Sequence, residues 1–134
     1  MRPIVWNESL SVHIQEIDLQ HRHLIGLVAG LQNALEAGER DALSGVLREL
    51  NTYVREHFTA EERWMARYDF PGLAAHADAH EAFVENLLRF ELDHLAGQAQ
   101  VSDELLDYLM AWIVDHVMGM DQRYARFFAE KGVL

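Results

Sequence analysis

Proline is nearly absent from this chain, which leaves long helices as the structure that its apolar pattern favours. The two prolines are Pro3 and Pro71, so helices can run uninterrupted between them and beyond Pro71. Apolar residues recur at helical spacing along four segments, and no segment alternates with the period of two that marks a half-buried strand. We therefore expect an all-α protein. Its helices are predicted to span roughly residues 17–37, 41–68, 73–95 and 102–131.

Short breaks separate the four predicted helices. Gly38 is placed to cap the first helix, Phe70-Pro71-Gly72 breaks the second, and Gly97 ends the third. Ser102, followed by two acidic residues, is a typical helix start. Helices of about 20–30 residues with short connections predict an up-down-up-down four-helix bundle.

We expect one domain that spans residues 1–134. A chain of 134 residues, half of them apolar, is long enough for one core and too short for two ordinary domains. Residues 1–16 lack helical periodicity and are predicted to form a non-helical N-terminal arm. Trp6 is expected to dock this arm onto the bundle, because a large ring is rarely left in water.

Charge and composition disfavour several classes of protein. With 22 acidic and 11 basic residues, the net charge of −11 argues against a nucleic-acid partner, because phosphate binding requires basic patches. The absence of cysteine excludes disulfides, iron–sulfur clusters and thiolate zinc sites. There is no signal-peptide core and no run of about 18 apolar residues. We therefore expect a cytoplasmic protein that does not insert into a membrane.

Six polar residues share the apolar stripes of the predicted helices, and every helix carries at least one imidazole. They are His21 in the first helix, His57 and Glu61 in the second, His76 and His80 in the third, and His116 in the fourth. His57 and Glu61 are four residues apart, and so are His76 and His80 within HADAH. Each pair therefore shares one helical face. These side chains are expected to converge at the centre of the bundle.

Each of these features alone has an ordinary explanation. A lone histidine is usually a satisfied core residue, and a His/Glu pair is usually a surface contact. Together, however, they would give a metal-free structural bundle a core with about seven polar groups and no partners, each costing about 1–3 kcal/mol. Total stability is only about 5–15 kcal/mol. A shared metal removes this cost, so we favour a metal centre.

The chain resembles the hemerythrin family, in particular its single-domain bacteriohemerythrins, over essentially its whole length. The resemblance rests on Trp6, IDLQH at 17–21, HFTAE at 57–61, HADAH at 76–80 and HVMGMD at 116–121. It also points to Asp121 as the seventh ligand. Periodicity alone does not select Asp121 over Asp115, because Asp121 lies about 140° around an ideal helix from His116.

The resemblance implies two iron ions joined by an oxo or hydroxo bridge. One iron would be held by His76, His80 and His116, the other by His21 and His57, and both would be bridged by Glu61 and Asp121. These donors and the bridge fill eleven of the twelve positions of two octahedral ions. The free position, on the two-histidine iron, implies reversible binding of dioxygen rather than catalysis.

The resemblance also implies a dry oxygen pocket beside the ligands. Its lining residues would be Leu24, Phe58, Trp112, Ile113 and Val117. All five lie within one turn of a ligand, and all five are equally suited to an ordinary bundle core. Tyr124, three residues after Asp121, is expected to hydrogen-bond a bridging carboxylate.

Three further histidines lie outside the predicted centre. His23 and His94 are interpreted as surface residues, and His13, which precedes the first helix, has no assigned role.

The same centre could serve a sensor of oxygen or redox state, or an enzyme that reduces nitric oxide or peroxide. We expect instead a monomeric oxygen carrier that delivers to an oxygen-consuming partner. The pocket positions offer no further acid–base group, and we do not expect the output domain that a sensor usually carries.

Overall fold

The computed structural model describes residues 5–38, 40–95 and 103–133, and its fold is built from helices. The long helices are α1 (Gln15–Ala37), α2 (Arg40–Arg67), α3 (Leu73–Leu95), α4 (Asp103–Asp115) and α5 (Asp121–Glu130). A 3-10 turn, Glu8–Leu10, precedes α1, and a π-helical turn, His116–Met120, joins α4 to α5. These described ranges contain no strand, so the predicted all-α class is confirmed.

The helices form the predicted four-helix bundle. α1 packs against α2 and α4, and α2 packs against α3. α4, the π turn and α5 follow one another without a loop and together make the fourth helix of the bundle. The prediction of one continuous α-helix there is therefore wrong, and the predicted break and start at Gly97 and Ser102 lie outside the described residues. Within the described ranges, no helix is long and apolar enough to cross a membrane.

α1 illustrates why the sequence forms these helices. Its buried residues recur every three or four positions and are Ile17, His21, Leu24, Ile25, Val28, Leu31 and Ala34. The helix ends at Gly38, where φ is 71°, in the left-handed region that favours glycine. The N–H of Gly38 donates to the carbonyls of Ala34 and Leu35, which would otherwise lack partners at the helix end.

A tight turn reverses the chain between α2 and α3. The N–H of Phe70 donates to the carbonyl of Met65 over 2.9 Å. A Cβ atom at Gly72 would lie 2.7 Å from Cε2 of Phe70, so any larger residue here would displace this ring. The short reversal keeps the HFTAE segment of α2 and the HADAH segment of α3 at the same level of the bundle.

The N-terminal arm is held against the first turns of α1. The carboxylate of Asp18 accepts hydrogen bonds from Oγ of Ser11 over 2.6 Å and from the N–H of Val12 over 2.9 Å. Trp6 is half-buried against the bundle core, with the guanidinium of Arg22 3.9 Å from its ring centre. The arm is not wholly irregular, because it contains the 3-10 turn, and α1 begins two residues earlier than predicted.

Buried apolar residues form two clusters. The main apolar cluster contains Leu24 and Leu87 and draws on all four helices of the bundle. The small apolar cluster contains Ile17 and Tyr124 and draws on the arm, α1, α2 and α5. Along α1, the buried His21 comes between a residue of one cluster and a residue of the other. The two clusters therefore enclose a buried polar layer.

Leu87→Ala is expected to lower the free energy of unfolding by about 2–5 kcal/mol, because Leu87 is completely buried in the main apolar cluster. Leu92→Ala is the matched control on the same helix. Leu92 is 56% exposed, so its truncation should change the free energy by less than about 0.5 kcal/mol. Urea denaturation followed by circular dichroism measures both, and equal losses would contradict this packing of α3.

Candidate metal centre

Seven polar side chains meet in the layer between the two apolar clusters. They are His21, His57, Glu61, His76, His80, His116 and Asp121, and none is more than 5% exposed. Their ligand atoms form two groups, within each of which the atoms lie no more than 4.8 Å apart. The structure thus brings together all seven residues that the sequence analysis singled out.

The π turn accounts for the position of Asp121. In an ideal α-helix Asp121 would point about 140° away from His116. Here the N–H of Asp121 donates to the carbonyl of His116, five residues earlier, and this wider turn puts both side chains on one side of the helix. Asp115, the alternative that periodicity left open, is exposed. An α-helical period could not have found Asp121.

Asp121 joins the two histidine groups through its two carboxylate oxygens. Oδ1 lies 2.9 Å from Nε2 of His76 and 3.0 Å from Nε2 of His116. Oδ2 lies 3.2 Å from Nε2 of His21. One carboxylate therefore faces both groups, with a different oxygen toward each.

Glu61 also belongs to both groups, but through a single oxygen. Its Oε1 lies 2.6 Å from Nε2 of His57, 3.9 Å from Nε2 of His21 and 3.8 Å from Nε2 of His80. Its Oε2 accepts a 2.7 Å hydrogen bond from the hydroxyl of Tyr124, which is completely buried. The hydrogen bond expected between Tyr124 and a shared carboxylate is therefore present, and it fixes the Glu61 side chain.

Two residues that orient histidines were missed by the sequence analysis. The Nδ1 atom of His57 lies 2.7 Å from Oε1 of Gln20, and the Nδ1 atom of His80 lies 3.0 Å from Oε2 of Glu62. In each case an Nδ1–H donates to the oxygen, which leaves Nε2 free to face the centre. The sequence did offer one signal for them, because Gln20 directly precedes His21 and Glu62 directly follows Glu61.

Burial and charge give the histidines of the centre very different proton affinities. Burial lowers the pKa of His21, but the carboxylates of Asp121 and Glu61 outweigh it and raise the pKa to about 10. Burial lowers the pKa of His80 to about 3, because the attraction of Glu61 is too weak to offset it. In the metal-free protein near neutral pH, His21 is protonated and His80 is neutral.

The carboxyl groups of the centre are ionised. Burial raises the pKa of Asp121, but its contacts with three histidines outweigh burial and lower the pKa overall. Burial likewise raises the pKa of Glu61, and the charges of His57 and His21 lower it well below its usual value. Two buried carboxylates therefore require positive charge close by.

Unsatisfied polar atoms show that a metal suits this donor set. Among the described residues, both ring nitrogens of His21, Nε2 of His76, Oε1 of Glu61 and both carboxylate oxygens of Asp121 are buried without a hydrogen-bond partner. These imidazole nitrogens and carboxylate oxygens therefore lie close together without being oriented to form hydrogen bonds. Buried polar atoms without partners are rare and costly. Metal coordination satisfies imidazole nitrogens and carboxylate oxygens together.

Aromatic rings cover the three-histidine group on the side of the main apolar cluster. Phe58 stacks on His80 with ring centres 3.8 Å apart, and Trp112 stacks on His116 at 4.2 Å. All five residues expected to line a pocket belong to this cluster or pack against it: Leu24, Phe58, Ile113 and Val117 are buried, and Trp112 is half-buried. The centre is therefore bordered by apolar side chains.

Two of the three remaining histidines, His13 and His23, lie outside the centre. His23 is exposed, as predicted. His13 is also exposed and has a φ of 62°, while its N–H donates to Oγ of Ser11 over 3.1 Å. The side chain of His94, interpreted as a surface residue, lies outside the described part of the structure.

Known proteins resemble this chain in sequence and share its fold. A family model described as the Hemerythrin HHE cation binding domain matches residues 12–128. A bacteriohemerythrin of Stenotrophomonas maltophilia (strain R551-3) is 36% identical over 90 residues, which are 67% of this chain and 59% of that protein. A myohemerythrin of Riftia pachyptila is 32% identical over 85 residues, 63% of this chain and 66% of that protein. The crystal structure of wild-type hemerythrin has a TM-score of 0.89 and 25% identity, covering 93% of this chain and 97% of that one.

The bundle and its buried centre define the class of cation-binding four-helix proteins. The chain belongs to the hemerythrin family, because the family model matches most of its length. It is therefore a member of a family of non-haem iron, oxygen-binding domains. Its aligned part spans about three fifths of the bacteriohemerythrin from Stenotrophomonas maltophilia.

His80→Ala is expected to reduce the bound metal sharply, because it removes a donor from the three-histidine group. His23→Ala is the matched control, since His23 is exposed and outside the centre. Elemental analysis of protein reconstituted without oxygen measures the metal content, and circular dichroism checks that both variants remain helical. Unchanged metal content in His80→Ala would contradict the assignment of this centre.

Proposed function

We propose that the chain binds dioxygen reversibly at a pair of iron ions in the buried centre. The observation that carries this proposal is the unequal division of the imidazoles. Three of them gather on one side of Asp121 and two on the other, while Glu61 faces both groups. Such a set supplies fewer donors to one ion than to the other, which leaves room for a small ligand.

The ligand assignment follows the two groups in the structure. His76, His80 and His116 would hold one iron, His21 and His57 would hold the other, and Glu61 and Asp121 would bridge them. The contacts of Asp121, with one oxygen toward each group, support a bridging role. Imidazole and carboxylate together suit iron, and an oxo or hydroxo bridge would complete the pair.

When bound, the two iron ions would supply the open coordination position and the electrons that dioxygen binding requires. The polypeptide has three tasks around them. It fixes the ligands, because Tyr124, Gln20 and Glu62 hold Glu61, His57 and His80 by hydrogen bonds. It also excludes water from the centre, and it places no proton donor at the apolar border.

Water is excluded by the apolar border of the centre. Leu24, Phe58, Ile113 and Val117 are each less than 10% exposed. None of these side chains can give or accept a proton, so a small neutral gas can be accommodated while proton-dependent turnover is disfavoured. This supports a carrier or storage role in preference to an enzyme that reduces its ligand.

The biological setting belongs to the same proposal. We propose that the chain works as a cytoplasmic monomer and delivers oxygen to an oxygen-consuming partner. The bacteriohemerythrin and myohemerythrin relatives support oxygen binding as the shared property. The aligned part covers 59% of the bacteriohemerythrin and 66% of the myohemerythrin, so their full activity is a proposal for this chain.

Reversible oxygenation is expected to be visible in the optical spectrum. Anaerobic, iron-loaded protein should be nearly colourless, gain a charge-transfer band in air, and lose it again under argon. His23→Ala should cycle like the unaltered chain, because its substitution leaves the centre intact. Two bound irons without a reversible band would rule out the carrier function.

A further inference from the structure

We propose that Glu62 is a positioning residue that makes the two metal positions unequal. It holds His80 of the three-histidine group with a charged acceptor, whereas Gln20 holds His57 of the two-histidine group with a neutral one. This inference rests on the proposed metal centre, and it predicts that the three-histidine position binds its ion more tightly.

The His80 ring is fixed from two directions. At its edge, Nδ1–H donates to Oε2 of Glu62 over 3.0 Å. On its face, the ring of Phe58 is parallel to within 2°, with the ring centres 3.8 Å apart. The opposite nitrogen, Nε2, is consequently directed into the centre, 3.1 Å from Nε2 of His116. Glu62 therefore sets which nitrogen of His80 is the donor and where it points.

The charge of the acceptor distinguishes the two groups. A carboxylate that accepts the Nδ1–H draws the proton toward itself and makes the opposite nitrogen a stronger donor to a metal. The amide oxygen of Gln20 orients His57 over 2.7 Å but carries no charge. The two metal positions thus differ both in their number of imidazoles and in the donor strength of one of them.

Glu62 is accessible to substitution without damage to the core. Its side chain is 36% exposed, while that of His80 is 2% exposed. It lines a surface cleft between α2 and α3, together with Arg55, Glu81 and Glu85. Replacing it with glutamine keeps the size and an acceptor oxygen but removes the charge, so this variant isolates the electrostatic part of the contact.

Cobalt(II) binding tests this inference without reference to oxygen. Anaerobic titration, followed by the visible absorbance of cobalt and by competition with a chelator, gives the affinity of each position. The unaltered chain should bind two ions with different affinities. Glu62→Gln should weaken the tighter position by roughly 10–100-fold and leave the weaker one unchanged.

Two further variants keep the test specific. Glu81→Gln removes a charge from the same cleft and should leave both affinities unchanged, because the acceptor at Nδ1 of His80 is Glu62. Gln20→Glu should strengthen the weaker position and reduce the difference between the two. An unchanged tighter position in Glu62→Gln, or an equal loss in Glu81→Gln, would overturn the role of Glu62. Failure of the unaltered chain to bind two ions would instead refute the metal centre itself.

Discussion

Two buried carboxylates impose the strictest requirement on this bundle, because each needs positive charge close to it. The side chains of Glu61 and Asp121 are completely buried, and both are ionised. The protein surrounds them with imidazoles, and in the metal-free state a proton on His21, whose pKa is about 10, supplies part of the missing charge. His80, with a pKa of about 3, supplies none. Metal cations would provide the remaining charge and satisfy the unpaired atoms at the same time.

The architecture can be understood as support for this layer. Apolar clusters on both sides keep water away, and the π turn carries Asp121 to the position where its oxygens face both histidine groups. The amide of Gln122, next in the chain, donates to the carbonyl of Ser11 in the arm over 3.0 Å. A π turn is a rare conformation and persists where its surroundings determine it. The docked arm therefore helps to hold an unusual turn at the site that requires it.

The sequence was sufficient for the helices and for most of the centre, and physical reasons explain what it could not provide. Apolar periodicity located the helices, and polar residues on the same stripes identified six of the seven buried side chains, since both follow the regular α-helical period. Asp121 required a family resemblance, because the local helix does not keep that period. Gln20 and Glu62 lie beside the stripes, and only the packed structure shows that they reach an imidazole.

Anomalous X-ray diffraction at the iron edge, from crystals of anaerobically iron-loaded protein, tests the central claim most directly. Two iron peaks are predicted inside the bundle, one against His76, His80 and His116 and the other against His21 and His57, with Asp121 between them. A single peak, or peaks outside this buried layer, would contradict the account.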